Sequence, residues 1–173
     1  MDTETTTIIN PSIEMSRETE KTVEITLEDK ERFFKSILAD RPYEEVVSLF
    51  DGQLKVRLRS MTVQENSDVV NQIVADRKNG VAAENDAYLI TISTYRLALS
   101  LVSIDDQPYS TITKDNFQAL AEKDTYVLAR ARPMSAWGTS KLAIFLDAFK
   151  AFEYKTIRLT SEVQTPNFWK AST

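Results

Sequence analysis

The stretch Phe50-Asp51-Gly52-Gln53-Leu54-Lys55-Val56-Arg57-Leu58-Arg59-Ser60-Met61-Thr62-Val63-Gln64-Glu65 decides the fold class, because its apolar period changes from that of a strand to that of a helix within a few residues. Leu54, Val56 and Leu58 alternate with Lys55, Arg57 and Arg59, the pattern of a strand packed by one face on a core. Asp51-Gly52 ahead of it is a turn dipeptide that accepts positive φ, and residues 43–50 supply the first arm of a β-hairpin near 43–59. Thr62 with Glu65 then makes a capping box. After it, Val69, Val70, Ile73 and Val74 recur at helical spacing until Gly80 offers a C-terminal cap. The pattern predicts an α+β fold, mainly α with one β-hairpin.

Upstream, Thr26-Leu27-Glu28-Asp29 repeats the capping signal. Phe33, Phe34, Ile37 and Leu38 give the following short helix an apolar face, and Arg41-Pro42 stops it near residue 39. Residues 1–22 form a polar, threonine- and glutamate-rich arm interrupted by Ile8, Ile9 and Ile13, too poor in apolar surface to order in isolation. Downstream, residues 84–103 read as a central core helix. Its Ser93, Arg96, Ser100 and Ser103 make a narrow polar stripe, either a functional groove or, as we favour, a row facing solvent or a satisfied polar neighbour. Thr113 opens a predicted helix through Lys123, residues 126–132 another ending at Pro133, and Thr139 a third. On the third, Leu142, Phe145, Leu146, Phe149 and Phe152 form a continuous face, core rather than partner groove on the favoured reading, with Trp137-Gly138 as the junction before it. The chain thus divides into a flexible arm (1–22), a single helical domain with the hairpin (23–164) and an aromatic tail (165–173).

The missing residue types exclude much chemistry. With no histidine and no cysteine among 173 residues, a Ser-His-Asp or Cys-His nucleophile is impossible and a zinc site lacks its usual ligands. Gly52, Gly80 and Gly138 are too far apart to cradle a phosphate. Carboxylate chemistry remains, but Asp105-Asp106 ahead of Gln107-Pro108 has the spacing of a solvated turn. The expectation is therefore no enzyme, no metal and no cofactor. A net charge of −5 without a basic run argues against nucleic acid, the nearest approach to a patch being Arg130 and Arg132, better explained as salt-bridged or solvated. Residues 87–104 are the most apolar stretch yet carry Arg96 and several hydroxyls, unlike a lipid-facing helix, and Met1-Asp2-Thr3-Glu4 lacks the head of a secretory signal. No membrane association is expected, and cytoplasmic synthesis fits a chain without disulfides.

Function then has to lie in being bound. Thr165-Pro166-Asn167-Phe168-Trp169 places two large aromatics behind a helix-stopping proline. Such residues fold back into the core, the reading we favour, or anchor in another protein's pocket. An arm such as 1–22 is suited to lie on a neighbouring subunit, which would make the protein a homo-oligomer. The candidate partner contacts are Ile8, Ile9, Pro166, Phe168 and Trp169.

The run from Phe50 to Glu65 resembles the "dGxLxVxxRxLTxxE" stretch of small proteins from tailed-bacteriophage morphogenesis modules, and Tyr95-Arg96-Leu97-Ala98, Phe152-Glu153 and Asn167-Phe168-Trp169 add to the likeness. These features resemble tail assembly chaperones and small baseplate or hub assembly proteins, and spread from about residue 25 to the end. The resemblance implies a non-enzymatic protein that acts in the host cytoplasm during assembly by binding tape-measure, tail or baseplate subunits. The alternative is a permanent virion subunit of tail, baseplate or connector, using the arm and the terminal aromatics between subunits.

Overall fold

A computed structural model of the chain describes residues 23–81, 86–121 and 123–169. Helix α1 spans Leu27–Leu38 and is followed by the hairpin strands β1 (Glu44–Leu49) and β2 (Leu54–Arg59). Two long helices come next, α2 (Val63–Lys78) and α3 (Asp86–Ser100). Strands β3 (Leu101–Ile104) and β4 (Gln107–Pro108) then lead through an irregular segment to α4 (Tyr126–Ala131), a 3₁₀ turn (Arg132–Ala136) and the longest helix, α5 (Thr139–Glu162). The α+β class read from the sequence holds, with the hairpin forming half of a four-stranded antiparallel sheet of order β1-β2-β3-β4.

Both capping boxes form. The Thr26 hydroxyl accepts from the Asp29 N–H and the Asp29 carboxylate from the Thr26 N–H; Thr62 and Glu65 do the same ahead of α2. The first hairpin turns where the sequence places it, with the Gln53 N–H donating to the Phe50 carbonyl across Asp51 and Gly52, both at positive φ.

Three expectations fail for identifiable reasons. The helix expected to run to Ser103 stops at Ser100, and its last apolar residues become β3. An all-apolar run has no period to separate helix from strand, so tertiary partners decide. Those partners are β2, which pairs Arg57 with Ser103, and the buried Arg130 guanidinium, which donates to the Ala98 carbonyl (2.8 Å) and the Leu101 carbonyl (2.9 Å) and so satisfies the helix end. Asp105 and Asp106, both at positive φ, are the two-residue turn into β4, the solvated turn expected for them. No helix opens at Thr113. Its N–H donates to the Asn116 side chain while Asn116 N–H donates to the Thr113 hydroxyl, a local closure that competes with helix. Pro133 lies inside the 3₁₀ turn instead of ending α4, whereas α5 opens at Thr139 as read, with Gly138 as its N-cap residue.

The core lies between one face of the sheet and α5. Val56 and Leu58 from β2 and Leu101 from β3 join Phe145, Leu146, Phe149, Phe152 and Leu159 of α5, Leu97 and Ala98 of α3, and Phe33, Tyr43 and Phe168. A smaller cluster of Val69, Tyr95, Leu99 and Val127 fastens α2 and α4 to the other side of α3.

Candidate functional site

An open cleft of about 300 Å³ runs between α3 and α5 beneath the start of α2. Phe149, Phe152, Met61 and Ile157 make its apolar surface, while Ser60, Ser100, Thr156, Thr160 and Ser161 bring hydroxyls and Asn66 an amide. Inside it Arg96 of α3 meets Glu153 of α5, with the Arg96 Nε 3.0 Å from the carboxylate and a second contact from Nη2. Two members of the expected polar stripe, Arg96 and Ser100, therefore do line a groove, and Arg96 has a satisfied polar neighbour in Glu153. Ser103, the stripe's last residue, belongs to β3 and pairs with Arg57. The three α5 hydroxyls around the cleft already donate to their own helix: Thr156 to the Phe152 carbonyl, Thr160 to Thr156, Ser161 to Ile157. The cleft thus presents acceptor oxygens on an apolar bed, with Ile157 64% exposed on its lip.

On the opposite flank of α5, α1 is held by charge. Lys155 Nζ lies 2.9 Å from Asp29 and 2.8 Å from Glu45 of β1, Arg32 lies 2.6 Å from Asp29, and Lys30 lies 3.4 Å from Glu162. Burial opposes ionisation of Asp29, but hydrogen bonds from the Thr26 N–H, Lys155, the Thr26 hydroxyl and Arg32 outweigh it and lower the pKa to about 2. Glu65 behaves alike: burial raises its pKa, and the Arg59 guanidinium at 2.5 Å with the Thr62 N–H brings the net shift below the usual carboxylate range. Tyr43, which donates to Glu45, has its pKa raised by burial and by the carboxylates of Glu45 and Asp29. Sequence reasoning missed this network; its trace was Lys155, three residues beyond Phe152 and so beside the apolar face of α5.

The structure separates the residues singled out as partner contacts. Phe168 is buried, under the Lys30 ammonium (5.7 Å) and against Trp169 (4.9 Å). Trp169 is half exposed and meets Phe34 edge-on at 5.4 Å, and Pro166 is exposed. The tail folds back through Phe168 and leaves an indole at the surface beside α1. Ile8 and Ile9 lie outside the described residues. Arg130 and Arg132 form no basic patch, since Arg130 is buried among carbonyls and Arg132 pairs with Asp124 at 2.8 Å. Among the described residues no cluster of three or more acids is placed to hold a metal ion, and no helix is long and apolar enough to cross a membrane.

No protein-family model, no curated protein and no solved structure matches this chain.

Proposed function

We propose that this chain is a non-enzymatic tail-morphogenesis protein of a tailed bacteriophage, a tail assembly chaperone or baseplate/hub assembly protein. It holds an apolar helix of a tape-measure, tail or baseplate subunit in the host cytoplasm while the tail is built. The observation that carries the binding role is the α3/α5 cleft, whose apolar bed, exposed Ile157 and hydroxyl rim suit a helix that inserts side chains at i, i+3 or i+4, and i+7. An enzyme of carboxylates alone would need two acids facing each other, one with a raised pKa. The cleft holds one acid, Glu153, bound to Arg96, and among the described residues the two carboxylates with displaced pKa values, Asp29 and Glu65, are displaced downward. The phage context rests on the likeness of residues 50–65 to morphogenesis proteins.

Quantitative mass spectrometry of purified particles and of the lysate that produced them tests the proposal. A chaperone is abundant in the lysate, co-purifies there with a tail protein and is absent from particles. Stoichiometric retention would make the protein a permanent tail, baseplate or connector subunit instead. A protein that co-purifies with no tail component in either fraction would refute both forms of the reading.

A further inference from the structure

Helix α1 carries an apolar row on the side away from the core. At 3.6 residues per turn Leu27, Phe34 and Leu38 fall within roughly 40° of arc, opposite the buried Asp29, Phe33 and Ser36. Leu27 and Leu38 are exposed, Phe34 is half-buried, and the half-exposed Trp169 meets Phe34 edge-on at 5.4 Å and widens the row. An exposed apolar cluster with a tryptophan at its edge has the composition of a contact surface.

The charges beside this row select its occupant. Glu28 and Glu31 stand in the first half of α1 and Lys35 in the second, all exposed and all on one flank of the row. An acid-first, base-last order suits the helix dipole of any helix, but here it also borders exposed apolar residues and makes the face complementary to itself. Two copies laid parallel put acid against acid. Laid antiparallel, with Leu27 against Leu38 of the other copy, they bring each Lys35 opposite the span between Glu28 and Glu31 of the other. We propose that α1 is a self-association face, on which two copies of this chain pair α1 against α1, antiparallel about a two-fold axis, with Leu27, Phe34, Leu38 and Trp169 at the contact.

The length of α1 sets the strength of this dimer. Its 12 residues span only about 18 Å, so the contact belongs with the small, weak class of interfaces, and dilute protein is monomeric. The pairing takes place at high local concentration. Because α1 and the α3/α5 cleft lie on opposite flanks of α5, each copy keeps its cleft open, and the dimer presents two clefts at once.

Sedimentation equilibrium of the full-length protein, from about 10 µM to about 1 mM, tests the proposal. Wild type should dimerise with a dissociation constant on the order of 100 µM, and Trp169→Ala should raise that constant about tenfold or more. The variants Glu28→Lys/Glu31→Lys and Lys35→Glu should each stay monomeric alone, since each sets like charges against each other across the two-fold axis. Mixed together they should form a heterodimer, because each supplies the charge the other lost, and that recovery also shows both to be folded. A wild type that stays monomeric throughout overturns the proposal. So does a dimer that persists in both charge variants, which would place the contact elsewhere, or a pair of variants that does not combine on mixing.

Discussion

Helices α5 and α1 lie against each other and are held in opposite ways. Helix α5 buries Phe145, Leu146, Phe149, Phe152 and Leu159, so its apolar face is spent on the core. Helix α1 buries Asp29, Lys30 and Ser36 beside Phe33, and leaves Ile37 and Leu38 at 50% and 71% exposure. Helix α2 follows α1, burying Glu65 and Gln72 while Val70 and Val74 face outward. The molecule therefore has an aromatic centre, with α1 fastened largely by charge and α2 by the small apolar cluster around Val69 beside its buried polar residues, and both helices leave apolar side chains exposed.

The contrast can be broken from either side. Phe149→Ala empties one of the most buried sites in the core and should cost about 4 kcal/mol in urea unfolding, abolishing the cooperative fold as a whole. Lys155→Ala removes the cation shared by Asp29 and Glu45, leaving Arg32 on Asp29, and should cost about 3 kcal/mol, with the amides of α1 losing exchange protection before those of α5. Acid should act on the same contact more gently. With the Asp29 pKa lowered from 3.8 to about 2, its contribution is complete above the unfolded value and is lost as pH falls from about 4 toward 2, so α1 should loosen in that window, visible as increasing amide exchange along α1. Thr26→Ala removes the α1 cap and should cost about 1 kcal/mol by chemical denaturation. Leu38→Lys, at an exposed site, should change stability by no more than about 0.5 kcal/mol, and a large loss there would show that α1 is held by apolar packing after all.

The same contrast explains what was legible in the sequence. The capping boxes at Thr26 and Thr62, the Asp51-Gly52 turn, the alternation in β2 and the aromatic face of α5 are local signals, and each stands where it was read. Ile37, Leu38, Val70 and Val74 carry an equally good helical period but are exposed, because periodicity reports a stripe and not what covers it. The switch from α3 to β3 was hidden, since it depends on Arg130 reaching the Ala98 carbonyl from thirty-two residues away. The cleft was half visible: Arg96 and Ser100 stood out on α3, but their facing residues Glu153, Thr156 and Thr160 come from a helix whose docking only the folded structure sets.

The most direct test of the binding role is calorimetric titration of amphipathic tape-measure segments from the same genome into wild-type protein and into Ile157→Asp, which puts a charge on the exposed lip of the cleft while leaving the core intact. Saturable binding by at least one segment, weakened about tenfold or more by Ile157→Asp, is the predicted result. Absence of binding by every segment, or equal affinity in the two proteins, would contradict the proposal that the α3/α5 cleft holds a tail-protein helix.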